Sequence, residues 1–408
     1  MATPRSNSTF PASRALLRQV APAPPAPTPL AAGGGVPRVA AAGIDDLAGA
    51  GQPAPAGLEL VAALEGPLLV GVAVSSAGRI FLNWPRWGDP VAFTVGELRE
   101  REVVPYPTAA VNTFDPRRPG DTFVSVQAIG FDLAGRLWIL DTGSLNFQPV
   151  IPGGAKLVAV DPARDQIVQT IVFPPDVVLP TSSINDMRFD LRRGAGGVAY
   201  LTDASPLGKN AIITVDLDSG DSWRRLDEHP TTVAEPGFVP IVEGAELYED
   251  MPGMPPRPIS LGADGIALSA DGSQVFYSPL ASRQLFMVAT EPLAIRAAEA
   301  EVAAAVVDLG TKGSGSDGLE SDASGNVYLT QYELNAIAVR GVDGGQQTLV
   351  ADGRILWPDT MAVANDAYLY FTANQLHRQP RYHDGQDLRQ PPYALFRYPV
   401  NTAPVRLG

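Results

Sequence analysis

The sequence predicts an all-β protein, specifically a six-bladed β-propeller. The first observation is a sixfold repeat: VGVAVSSAGRIFLNW (70–84), QAIGFDLAGRLWILDTG (127–143), NDMRFDLRRGAGGVAYLTDAS (185–205), DGIALSADGSQVFYSPLAS (264–282), DGLESDASGNVYLTQY (317–332) and DTMAVANDAYLYFTAN (359–374). Each reads as a short apolar strand, a turn usually built on Gly or Asp, and a second apolar or aromatic strand. The second observation is spacing. The leading positions Val70, Gln127, Asn185, Asp264, Asp317 and Asp359 follow one another at intervals of 57, 58, 79, 53 and 42 residues, the length of multi-strand propeller blades. The third is that the leading position is polar or acidic in five of the six repeats.

Taken along the chain, residues 1–56 stand apart. Five of the ten residues at 21–30 are Pro, and the segment holds few large apolar groups to offset its ordering entropy, so it reads as a disordered tail. It carries Arg5, Arg14 and Arg18, but no apolar stretch of signal-peptide length follows. The propeller is expected over 57–408. GLELVAAL (57–64) is expected to close the ring as the outer strand of the last blade. Third strands read at 156–162, 211–223, 284–290, 336–341 and 393–400. Residues 225–260 form the longest insertion. It is Pro-rich, carries Glu243, Glu246 and Glu249, and reads either as a lid or as a plain excursion over one face.

Composition narrows the chemistry. The 408 residues carry a net charge of −14, which disfavours nucleic acid and anionic membranes because both require clustered Lys and Arg. There is no cysteine, so disulfides, thiolate ligands and a cysteine nucleophile are excluded. Three histidines, His229, His377 and His383, are too few for a His-rich zinc or copper site. No run of 18 uncharged apolar residues marks a membrane span.

In a propeller the inner strand of each blade begins at one mouth of the channel, and the second strand returns to that mouth. The residues gathered there are Gln127, Asn185, Asp186, Asp264, Asp317 and Asp359 from the strand starts. The turns after second strands add Arg86, Trp87 and Asp89, then Asp141 and Asn146, Asp203 and Ser205, Arg283, Gln331 and Tyr332, and Asn374 and His377. The remaining tryptophans, Trp84, Trp138, Trp223 and Trp357, read as blade packing. The opposite mouth receives plain hairpin turns.

Three Asp with an Asn and a Gln around one axis suit a hard divalent cation with oxygen ligands, Ca2+ being the expected ion. Asn185, Asp264 and Asp317 are the expected metal ligands, and Asp317 and Asp359 the expected acid–base pair. Arg86, Trp87, Gln127, Asp141, Arg283, Tyr332, Asn374 and His377 are the expected contacts to a small-molecule ligand. No GxSxG elbow marks a serine triad.

FLNWPRWGDPVAFTV, FVSVQAIGFDLAGRLWILDTG, INDMRFD, VAYLTDAS with DSWRRL, VFYSPLASRQLFMV and GNVYLTQYELNAIAV resemble the Yellow / major royal jelly protein family over residues 66 to 378, in the manner of a bacterial member. The resemblance implies a six-bladed propeller. It does not imply one activity: members have been linked to dopachrome rearrangement, amine binding and storage. More distantly the chain is similar to the senescence-marker / gluconolactonase propellers. There Asn185 and Asp264 fall at the family's two Asn-type ligand positions and Asp317 at its Asp, while the family's Glu is replaced by Val70.

Three functions follow as expectations. The first is a metal-assisted, lactonase-like hydrolase acting on a small polar metabolite. The second is a dopachrome-type tautomerase with Trp87, Tyr332 and Arg86 as contacts. The third is a non-enzymatic binder of a small amine or metabolite.

Overall fold

A computed structural model describes residues 35–408. Five blades are four-stranded antiparallel sheets. Their inner strands are Gly71–Val74, Val126–Phe131, Ile184–Asp190, Ala263–Leu268 and Leu319–Ser321 in blades 1 to 5. The inner strand of blade 6 is Pro358–Val363, followed outward by Tyr368–Ala373 and Tyr393–Pro399. The six repeats therefore correspond one to one with the six blades.

Closure is non-local. Glu59–Glu65 pairs antiparallel with Tyr393–Pro399, Leu64 facing Tyr393 and Ala63 facing Ala394. The N-terminal strand thus completes the last blade, as its apolar alternation predicts. Leu64, Leu82, Tyr393 and Leu395 are buried in one cluster that joins blade 6 to blade 1. Between blades 2 and 3 the same role falls to Trp138, Leu157, Leu201 and Ile213. Each blade thus buries its faces against its two neighbours, so no single blade is stable alone.

The expected tail divides in two. Residues 1–34 lie outside the described residues. Residues 35–56, read from composition as disordered, instead pack on the propeller. Arg38–Val39 adds a fifth strand beyond Glu65 and Leu64. Leu47 is buried with Ile355 and Phe396, and Arg354 donates to the carbonyls of Ile44 and Gln52. A few apolar anchors and one buried guanidinium order a segment that composition alone does not.

The insertion covers the mouth where the inner strands begin. Its Phe238, Val242, Leu247 and Ile259 are buried with Trp84, Tyr332, Trp357 and Tyr382. A short hairpin, Ile241–Val242 with Ala245–Glu246, forms its tip. Of the two readings of this segment, the cover is what the packing supports.

Candidate functional site

The ring residues are aimed by broken strand pairing. In blade 2 Val126 pairs with Asp141 and Ala128 with Leu140, leaving Gln127 as an extra residue. Asp264 is extra in blade 4 in the same way. Blades 3 and 6 slip by one residue across Asn185–Asp186 and Asp359–Thr360. A bulge re-aims the side chain at the bulged position, and here it sends that side chain toward the channel axis. Threonines hold the bulges. Thr202 Oγ1 accepts from Asp186 N and donates to the Asp264 carbonyl of the next blade (2.5 Å). Thr372 Oγ1 accepts from Thr360 N and donates to Val70 O (2.7 Å).

A chain of contacts runs around the axis. Gln127 Nε2 donates to Asn185 Oδ1 (2.8 Å), and Asn185 Nδ2 donates to Asp264 Oδ1 (2.5 Å). Asp264 lies close enough to Asp317 to share a proton with it. Asp317 Oδ2 accepts from Trp357 Nε1 (2.8 Å) and Asp359 Oδ2 from Asn374 Nδ2 (2.6 Å). Burial is the largest cause that raises these acids. It pushes Asp317 up to about 6, against the Trp357 and Asp264 hydrogen bonds that hold it down. Asp264 and Asp359 are raised well above the carboxylate range by burial and then by the Asp317 charge. Burial and mutual repulsion thus disfavour three full charges on the ring and favour carboxyls that share protons.

The five ring residues Gln127, Asn185, Asp264, Asp317 and Asp359 line a cavity of about 30 Å3. Trp87, expected at the rim, is in its wall. Phe147, Leu376, Gln379, Arg381 and Tyr382 also line it, and sequence reading missed them. The last four lie in or between two short 3-10 turns after the final repeat, where no other blade offers a counterpart to align. Arg381 is paired to Glu249 of the insertion and its Nε has no partner.

Several expected ligand contacts stand elsewhere. The Arg86 guanidinium donates to the carbonyls of Phe123, Val124 and Asn112, so it ties blade 1 to the strand start of blade 2 rather than reaching the cavity. Asp141 accepts from the amides of Val124, Ser125 and Gly143 and pairs with buried Lys156 Nζ (2.7 Å). Asp203 repeats that arrangement with Arg224 in blade 3. Arg283 pairs with Glu333 and lies over Phe238. Tyr332, Asn374 and His377 form a supporting layer behind the ring. Tyr332 stacks on Trp357 at 4.1 Å, and His377 lies near-parallel to Trp357 at 5.8 Å. His377 Nε2 meets Glu243 Oε2 at 2.8 Å. Trp357, read as packing, is the surprise: it is fully buried yet aims its one donor at Asp317, from a backbone φ of 54° that a bulky residue adopts only under strain.

The donor set offers carboxyl and carboxamide oxygens, which fits a hard cation in kind. Asn185 turns its NH2 to Asp264, so its oxygen reaches such an ion only after an amide flip shared with Gln127. Among the described residues, no three Asp, Glu or His side chains are grouped at ligand spacing. A cation would complete its shell with amide oxygen and water.

The opposite mouth is more than hairpin turns. Asp186, expected at the first mouth, instead meets Arg188 and Glu320 in a larger cavity of about 300 Å3, which residues 404–407 border. Among the described residues no helix is long and apolar enough to cross a membrane.

The sequence pattern of the family described as Major royal jelly protein matches residues 124–390. Major royal jelly protein 1 of Apis mellifera is 28% identical over 195 residues, covering 46% of this chain and 41% of that protein. The L-dopachrome tautomerase yellow-f of Drosophila melanogaster is 25% identical over 233 residues, covering 53% of this chain and 50% of that protein. The chain thus spans half or less of the length of these relatives. Among solved structures, a gluconolactonase from Xanthomonas campestris superposes with a TM-score of 0.50 at 13% identity, covering 90% of this chain and 94% of that one. That likeness is one of fold.

Proposed function

The chain belongs to the major royal jelly protein family, and from that premise we propose that it is an enzyme that moves a proton within a small ring-bearing metabolite, a tautomerase or isomerase. The observation that carries this reading is the carboxyl ring at the channel mouth, where Asp317, pushed up to about 6, lines one cavity with Asp264 and Asp359, both also raised by burial. A base and an acid of the same residue type, side by side and poised differently, are what a proton shuttle requires. Asp317, ionised, takes a proton from a carbon next to a carbonyl. Asp359, protonated, gives one to the oxygen or ring position that gains electron density. Overall one C–H bond breaks, one new bond to hydrogen forms, and no electrons leave the substrate. Trp87 offers a face for the ring, and Gln127 and Asn185 orient it. The relative named as a dopachrome tautomerase supports this reading.

A second reading, a lactonase-like hydrolase, rests on the oxygen-only ring. A divalent cation such as Ca2+ would be held by Asp264, Asp317 and the Asn185 amide oxygen. When bound it would supply charge neutralisation and carbonyl polarisation.

The test is a paired assay. The decay of L-dopachrome and of its methyl ester, and a lactone panel, are followed for wild type and Asp317→Asn, each with and without chelator. Isomerisation that resists chelation and vanishes in Asp317→Asn supports the first reading. Lactone hydrolysis abolished by chelation supports the second. Neither activity at any metal loading leaves the ring as a ligand-binding site and retires both.

A further inference from the structure

Beside the axial cavity lies a second of about 60 Å3, and the two share Trp87, Phe147 and Ser183. By the measure in which one water needs roughly 10–15 Å3, neither holds a metabolite alone. What divides them is a single aromatic partition: Trp87 and Phe147 stack at 5.3 Å with their planes 24° apart. Phe147 is braced by the Arg381 guanidinium, 4.7 Å from its ring centre. The partition stands on a strained loop. Asn146 and Phe147 are consecutive non-glycine residues at φ 54° and 56°, left-handed backbone that an aromatic residue adopts rarely.

The second cavity has its own chemistry. No Asp, Glu, Lys or Arg lines it. Ser144, Thr142 and Ser182 are committed, donating to Gln148 O, Ser125 O and Asp203 respectively. Thr181, Ser183 and Gln148 keep hydroxyl and amide groups for a ligand. A charged group there meets no counter-charge, whereas a neutral polar group is matched by hydroxyl and amide.

We propose that the two cavities are halves of one substrate cleft, merged when the Trp87–Phe147 partition turns, with the reacting ring at the carboxyl end and an uncharged hydrogen-bonding substituent of the substrate in the second cavity. The choice of a ring-bearing ligand rests on the proposed function; the neutral subsite does not. The cleft thus selects esters, amides or hydroxylated substituents over carboxylates or amines.

The experiment is isothermal titration of the full chain with methyl indoline-2-carboxylate and with indoline-2-carboxylate. The ester is expected to bind roughly fivefold or more tightly than the acid, the effect of about one neutral hydrogen bond gained. Thr181→Trp, which fills the second cavity, is expected to erase that preference, and Gln148→Ala to reduce it. Gln148 is exposed, so this variant decides the matter if Thr181→Trp fails to fold. Equal binding of the two probes, no binding of the ester, or a preference that survives in the variants overturns the proposal. A surviving preference would mean that the carboxyl ring merely repels the acid. Binding without any turnover retires the isomerase reading and leaves the subsite standing; turnover without the preference does the reverse.

Discussion

Trp357 Nε1 donates to Asp317 Oδ2 across 2.8 Å, from an indole stacked on Tyr332 at 4.1 Å and near-parallel to His377 at 5.8 Å. The arrangement ties the ring to the insertion, because His377 is bonded in turn to Glu243. A hydrogen bond to the ionised form favours that form, so Trp357 keeps Asp317 from being raised further by its burial.

Trp357→Phe removes the donor and keeps the stack. The pH–rate profile should then move. In wild type, activity should rise with pH through an apparent pKa near 6, since the base must be ionised. In Trp357→Phe that limb should shift upward by about one unit, the worth of a charge-assisted hydrogen bond. An unmoved limb would show that Asp317 is not the titrating base.

Asp317→Asn should abolish turnover and leave the propeller folded. It also removes a group that binds its proton more tightly folded than unfolded. Such a group costs stability as pH rises from 3.8 through about 6, because the folded state holds the proton the unfolded state gives up. The variant should therefore equal or exceed wild type in urea midpoint at pH 8, provided the protein has been freed of metal. A clear loss of stability there would count against the burial argument.

Asp141→Ala tests the opposite kind of residue. The side chain satisfies three backbone amides and a buried lysine. Its loss should cost about 3–5 kcal/mol, the usual effect of stranding one member of a buried pair. The fraction that folds should keep its affinity for ligand. A variant of wild-type stability that has lost only ligand binding would restore Asp141 to the site.

Glu243 is held down to about 2, first by His377 and then by Arg378. A depressed carboxylate contributes stability above its unfolded value near 4.5 and loses it as pH falls through 2. The latch between insertion and last blade should therefore loosen in acid before the blades do. Pepsin at pH 2 should cut within 240–250 much faster, relative to the blades, than pepsin at pH 4. Glu243→Gln should show the pH 2 pattern at both values.

Leu64→Ala tests closure. Leu64 is fully buried opposite Tyr393, where first and last strands meet. The substitution should cost about 2–4 kcal/mol by the cavity it opens. The urea midpoint should fall with an unchanged slope if the ring unfolds as one unit. A second transition would instead mean that blade 6 comes away alone.

What the sequence determined by itself is the part that repeats. Six strand-turn-strand units specify six blades, and the apolar alternation of 57–64 specifies the closing strand, because period and burial are local properties of a strand. The ring followed too: Gln127, Asn185, Asp264, Asp317 and Asp359 share one position in the repeat, and equivalent positions on a ring share an axis. Tertiary structure decided the rest. Arg86, Asp141 and Trp87 all follow second strands, yet only Trp87 faces the cavity. Whether a polar group there turns to the axis or to a neighbouring backbone depends on which amides and carbonyls the next blade leaves unpaired, and no single repeat encodes that. Gln379, Arg381 and Tyr382 belong to a loop without a counterpart in other blades, placed by Glu249 from more than a hundred residues away in the chain. Trp357 reads as core and is core. Only the direction of its one N–H, set by packing against Tyr332 and His377, makes it part of the site.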